Sequence, residues 1–382
     1  MSSAPATTVN MFALFELARA REDAISLGLG DPDVPTPAHI MEAANAAIAA
    51  GQTGPTEVAG LPELRQAIAA KLARVNGVQA DPEREVLVTT GGQEALYLLM
   101  QALISDGDEV IVPDPRYTSY DGAVESAGGR LVLAPTSPDD GFQLHAAAVE
   151  ACITERSKLL LVISPNNPSA GVNTPETMAA LAEVAIRHDL LVVADEIYEA
   201  YLYDGAQHVS LASLPGMRER TITLNGFSKT YAMTGWRVGY LAGPAWFIEA
   251  ATALKGIVNV HAPTVSQWAA VAALNGPQAC VEELRAMVDR RRLMMLDAMA
   301  ELPVRVSRPR GGLYIWADVS PSGMDGTQFS YRLLDEENVL VLPGAIFGEA
   351  WGNWIRMTLL QPDDVMQEVL ERMRRVFATA PG

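Results

Sequence analysis

Between residues 86 and 242 the chain repeats one pattern: a short apolar or β-branched run, a turn, then a helical stretch. The runs fall at 86–90, 109–112, 130–134, 159–164, 190–194, 221–224 and 238–242. Each is too short for a buried helix and too uniformly apolar for a half-exposed strand, so each predicts a strand covered on both faces. Strands alternating with helices in this way assemble into an α/β, doubly wound, mostly parallel sheet. The last hundred residues carry shorter strands at 304–307, 312–318, 339–342 and 354–360 between helices. Joined by the N-terminal segment, with an amphipathic helix over 7–21, they predict a smaller α+β domain. At 382 residues the chain is long for one domain. The expected division is 41–277 for the large domain and 1–40 with 278–382 for the small one.

Chemistry-bearing residues follow these strands one after another. Gly91, Gly92 and Gln93 stand between strand 86–90 and a helix, where free backbone N–H groups cradle an anion. Tyr117 follows strand 109–112 and reads either as packing or as a ring that stacks on a flat ligand. In the stretch Ser-Pro-Asn-Asn-Pro (164–168), proline after Asn167 fixes an extended backbone that aims the Asn167 amide. Asp195, with Tyr198 three residues on, lies just past four apolar residues, at the edge where α/β sheets bind ligands. A helix cap is the plainer reading of that aspartate. After strand 221–224 come Ser228, Lys229 and, eight residues beyond the lysine, Arg237 between Gly235 and Gly239. Alone, this pair reads as a solvated lysine and a capping arginine. Together with the other strand ends, it supplies an amine able to form a Schiff base and a bidentate phosphate grip. Those are the needs of pyridoxal 5'-phosphate. Arg356 sits among apolar neighbours in strand 354–360, where a buried guanidinium calls for a bound carboxylate.

As a set, Ser-Pro-Asn-Asn-Pro, Asp-Glu-Ile-Tyr (195–198) and Ser-Lys followed by Gly-Trp-Arg-Val-Gly (235–239) resemble the class I aminotransferases of pyridoxal-phosphate fold type I, especially the bacterial aspartate/aromatic group. The resemblance spans nearly the whole chain, from Gly28 to Arg356. It implies a Schiff base between the cofactor and Lys229, which also shuttles the substrate α-proton. It implies Asp195 on the pyridine nitrogen, Tyr198 and Asn167 on the ring oxygen, and Tyr117 on the ring face. Arg237, Ser228 and the amides of Gly92 and Gln93 would hold the phosphate. Arg356, with Asn167 and the backbone of Gly30, would hold the substrate carboxylate. The implied reaction moves an amino group from an L-amino acid to a 2-oxo acid in a cytoplasmic homodimer with its sites at the subunit interface.

Three positions depart from the family pattern. Gly226 stands where relatives often have serine. Pro55 stands where a tyrosine usually reaches the neighbouring subunit's phosphate. Gln93 replaces the lysine that pairs with a dicarboxylate donor. The neutral Gln93 predicts a broad donor range that includes apolar or aromatic amino acids. A carbon–sulfur β-lyase on the same fold is the alternative, since nearly the same residues serve it.

Other classes fit less well. The net charge of 28 − 46 = −18 opposes nucleic acid and anionic membranes as partners. It also opposes a DNA-bound regulator built on this module. No apolar run reaches membrane-spanning length, and the N-terminus lacks the basic and apolar regions of a signal peptide. Cys152 and Cys280, without a close histidine pair, predict reduced thiols and no metal site. Gly28-Leu29-Gly30 lacks the third glycine of a dinucleotide loop. There is no Gly-x-Ser-x-Gly elbow of a serine hydrolase. The five histidines read as structural or solvated.

Overall fold

The computed structural model describes residues 11–379. The chain enters through α1 (Met11–Arg19) and the two-residue strand β1 (Ile25–Ser26), then helices α2 (Ala38–Ala49) and α3 (Pro62–Lys71). The first positions of the helix expected over 7–21 lie outside the described residues. Helix α3 opens with Pro62 and Glu63 in its first turn, where a missing N–H costs nothing and a carboxylate meets the positive helix end.

The main sheet has seven strands: β2 (Val86–Thr89), β3 (Glu109–Asp114), β4 (Arg130–Pro135), β5 (Ser157–Ile163), β6 (Leu191–Asp195), β7 (Thr221–Gly226) and β8 (Gly239–Ala242). Their spatial order is β2-β8-β7-β6-β5-β3-β4. Pairing is parallel from β7 through β4, and β8 runs antiparallel to both of its neighbours. The interleaved helices are α4 (Gly91–Leu103), α5 (Ser119–Ser126), α6 (Ala146–Ala151) and α7 (Pro175–Arg187). The helical stretch after β8 is broken before Pro263, into α8 (Ala245–Val258) and α9 (Thr264–Asn275). The Gly91–Gly92 pair, expected as a turn, is already the first turn of α4. The sequence does not predict α5, which is short and polar and contains Gly122.

Strand β5 shows why the sheet is covered twice. Leu159, Leu161 and Ile163 pack into one apolar cluster with Leu98 and Phe247, while Leu160 and Val162 pack into another with Leu181. Alternate side chains of one strand thus feed two cores. From β3 the chain crosses to β4 on one side, and β5 returns on the other. Ligands favour the carboxyl edge at such a switch point.

The remaining elements are α10 (Ala279–Met299), β9 (Arg305–Ser307), β10 (Tyr314–Asp318), α11 (Gly326–Glu337), β11 (Val339–Leu340), β12 (Leu342–Pro343), β13 (Trp354–Thr358) and α12 (Asp363–Ala378). They build an antiparallel sheet in the order β12-β13-β10-β9. Strand β1 pairs with β11, which joins the N-terminal segment to this half. Among the described residues, no helix is long and apolar enough to cross a membrane.

Candidate functional site

The strand ends and the loop after β1 enclose a cleft of about 300 Å³. The eleven residues to which the resemblance assigns a role line it: Gly30, Gly92, Gln93, Tyr117, Asn167, Asp195, Tyr198, Ser228, Lys229, Arg237 and Arg356. The structure also places there residues that the sequence reading missed. Among these are Tyr120, Tyr314 and the apolar side chains of Met11, Phe15, Leu29, Leu96 and Ile197.

Lys229 stands three residues beyond β7. Strand β7 ends at Gly226, where a Cβ would lie 3.3 Å from the Gly239 Cα and 3.2 Å from Ile197. The close crossing with β8 thus leaves little room for a side chain at this position. Tyr201 donates to the Lys229 carbonyl at 2.7 Å and fixes the loop. The Lys229 ammonium donates to the Gly30 carbonyl at 2.6 Å and lies 3.1 Å from the Asp31 carboxylate.

An anion cradle lies beside the lysine. The first N–H groups of α4 have no intrahelical acceptor. Gly91 has φ +77°, and a Cβ on it would come within 2.7 Å of the Arg237 guanidinium. Glycine there lets the cation lie against the helix end. Arg237 itself has φ +53° and donates to the Thr234 carbonyl at 2.8 Å, a backbone cost for aiming the side chain.

Asp195 is the last residue of β6 and is buried. It accepts from the Tyr120 hydroxyl and, at 3.1 Å, from the Ile197 N–H. Burial pushes its pKa up to about 6, against the pull of those two donors. Tyr120 comes from α5, whose position is pinned by Arg116 gripping Asp121 with two bonds of 2.7 and 2.6 Å. Tyr117 stands edge-on to Tyr120, with centroids 5.8 Å apart. A second aromatic three residues after Tyr117 was the signal available for Tyr120.

Arg356 projects from β13, buried between the rings of Tyr314 and Phe347 at 4.3 and 4.7 Å. It donates to Asn167 Oδ1 at 2.8 Å and to the Gly28 carbonyl at 2.5 Å. Its Nε has no partner among the described residues. No carboxylate of the described residues pairs with it, so a buried cation stays open to an incoming one. Tyr198 and Tyr314 share a hydroxyl contact of 3.1 Å beside it, and burial raises the Tyr198 phenol well above its ordinary value.

Directly behind Asp195 lies a second polar group that the sequence reading did not assemble. Glu196 accepts from Asn76 at 3.0 Å and Ser210 at 2.6 Å, with His208 3.4 Å away. Glu199 accepts from Lys71, from Asn76 at 2.6 Å and from Asn225 at 2.8 Å. His208, expected to be structural or solvated, is a largely enclosed structural member of this group, its side chain 10% exposed. Its members are scattered from residue 71 to 225, so no local spacing announces them.

Pyridoxal phosphate fits this donor set. The glycine-lined helix end, Arg237 and Ser228 suit its phosphate, Lys229 suits its aldehyde, and the buried Asp195 suits a cationic ring nitrogen.

Comparison with known proteins agrees. The family model described as "Aminotransferase class I and II" matches residues 22–373. An aspartate aminotransferase of Pyrococcus abyssi is 40% identical over 367 residues, covering 95% of this chain and 94% of the relative. An arginine–pyruvate transaminase of Pseudomonas aeruginosa is 40% identical, covering 94% and 92%. The crystal structure of an aromatic aminotransferase from Pyrococcus horikoshii superposes with a TM-score of 0.91 at 40% identity, covering 96% of this chain and 98% of that one.

Proposed function

Because the chain belongs to the class I and II aminotransferases, a pyridoxal-phosphate-dependent family, we propose a specific division of labour within its cleft. The bound cofactor supplies an electron sink that acidifies the substrate's α-carbon. Lys229 holds the cofactor aldehyde and then carries the α-proton at Nζ. Asp195, pushed up by burial, regains a charged partner at the ring nitrogen. Tyr198 and Asn167 bind the ring oxygen, and Tyr117 covers one ring face. Arg237, Ser228 and the Gly92 and Gln93 amides hold the phosphate. Arg356, with Asn167 and the Gly30 backbone, orients the substrate carboxylate. The observation that carries this reading is Arg356: a buried guanidinium whose Nε has no partner, and which pairs with no carboxylate, among the described residues.

The donor range follows from the rest of the lining. Gln93 is neutral, and Met11, Phe15, Leu29, Leu96 and Ile197 are apolar, so apolar and aromatic amino acids are proposed as donors, with 2-oxo acids as acceptors. Relatives of equal identity carry names with aspartate, arginine or aromatic donors, so overall similarity does not choose among them. A scan of L-amino acids with 2-oxoglutarate and with pyruvate tests the reading. Aspartate turning over far better than every apolar or aromatic donor would contradict it.

A homodimer is part of the same proposal. Ile257 and Val258 end α8 and Val260 follows it, at 84%, 50% and 50% exposure, near the loop of Pro55, where Thr264 donates to Gly54 at 2.7 Å. A second copy covering this patch would bring both loops to the interface. The unpaired Cys152 and Cys280 accord with a cytoplasmic location. The division into 41–277 and 1–40 with 278–382 is proposed from the separation of the seven-stranded sheet from the four-stranded sheet and the β1–β11 pair.

A further inference from the structure

Lys255, in the last turns of α8, is completely buried. Its ammonium donates to both oxygens of Glu94, at 2.9 and 2.8 Å, and to Asn259 Oδ1 at 2.9 Å. Glu94 lies in the first turn of α4 and accepts the N–H of Thr90, the residue that caps that helix. Asn259 donates to the Thr90 hydroxyl at 2.9 Å. Thr90 is thus held at two points, its N–H by Glu94 and its hydroxyl by Asn259, both partners of Lys255, immediately before the amides of Gly91, Gly92 and Gln93.

The pair is not needed for the helix itself. A carboxylate in the first turn is already favourable against the helix dipole, whereas burying an ammonium is costly. Its need appears only when a second anion must bind there. An uncompensated Glu94 would occupy the positive helix end and repel a phosphate brought to it. Lys255 cancels that charge from behind, while Glu94 still takes the Thr90 N–H and leaves the next amides facing the cleft.

We propose that Lys255 is a positioning and charge-balancing residue for the phosphate cradle, neutralising Glu94 so that the start of α4 accepts the cofactor phosphate. The proposal rests on the reading that places pyridoxal phosphate at this helix end. What the cradle needs is a neutral Glu94 position, not the lysine as such.

The test compares pyridoxal phosphate with pyridoxal, which lacks the phosphate. Each is titrated into the cofactor-stripped full chain and followed by the absorbance of the bound cofactor. Lys255→Met should weaken pyridoxal phosphate by about tenfold or more, about 1.4 kcal/mol, while pyridoxal changes less than about twofold. Adding Glu94→Gln should bring pyridoxal phosphate back to within about threefold of the unaltered protein. Unchanged phosphate-dependent affinity in Lys255→Met, an equal loss of pyridoxal, or a double variant no tighter than the single overturns the proposal. Should Lys255→Met fail to fold, the charge-neutral double variant decides. Its preference for pyridoxal phosphate over pyridoxal should match the unaltered protein, and a selective loss overturns the proposal. Failure of the unaltered protein to prefer pyridoxal phosphate would instead strike the underlying cofactor placement.

Discussion

Asp195, the last residue of β6, and Glu196, the residue after it, are both carboxylates and both buried, yet they face different worlds. Successive side chains at a strand end point to opposite sides. Asp195 faces the cleft with two hydrogen-bond donors and no cation among the described residues. Burial therefore dominates and its pKa rises to about 6. Glu196 faces the interior, where Asn76 and Ser210 donate to it and His208 stands by. Beside it, burial would raise Glu199, but Lys71 and His208 more than offset that and hold it below its ordinary value. The interior balances the charges it keeps for itself. At the cleft, Asp195 is left short of a cation and Arg356 short of an anion, and each deficit marks where a ligand completes the structure.

The contrast breaks first at Lys229. Lys229→Ala should lower transamination by at least about 10³-fold and remove the yellow absorbance of the bound cofactor, with the unfolding midpoint of the stripped protein nearly unchanged. A large stability loss would make Lys229 a structural residue. The mirror experiment is Lys71→Met, which leaves the enclosed Glu199 carboxylate without its lysine. Urea unfolding should show a loss of about 3–5 kcal/mol, with kcat within about threefold where the protein is folded. Abolished activity at full stability would merge the two regions.

His208 gives a finer test by pH. Burial lowers its pKa, but Glu196 and Glu199 raise it further, for a net upward shift. The stability it contributes is fully present below its unfolded pKa near 6.5 and fades as pH rises through the higher folded value. His208→Gln should flatten that part of the stability–pH curve, an effect smaller than that of Lys71→Met. The smallest effect belongs to the cleft rim. Gln93 is exposed there, so Gln93→Lys should raise kcat/KM for aspartate relative to phenylalanine by only about fivefold.

What could be read from the sequence follows the same divide. The strand–turn–helix period fixes the sheet, and short stretches at strand ends carry every residue from Gly92 to Arg237, so both were legible. Tyr120 was not, because α5 is too short and polar to show a helical period. Lys71, Asn76, His208 and Asn225 were not, because they meet only through the tertiary fold. Lys255 lay unnoticed in an apolar helix, since its partner Glu94 is 161 residues away.

One paired measurement tests the division most directly: the half-reaction with an L-amino acid and the unfolding of the cofactor-stripped protein, in Asp195→Asn and in Glu196→Gln. The raised pKa means that ionised Asp195 costs stability as pH rises from about 4 to about 6. At neutral pH, Asp195→Asn should therefore unfold later, by up to about 3 kcal/mol, while its half-reaction slows by at least about 10²-fold. Glu196→Gln should unfold earlier and keep its half-reaction within about threefold. An Asp195→Asn protein that is less stable yet active, or a Glu196→Gln protein that is stable yet inactive, would contradict the account.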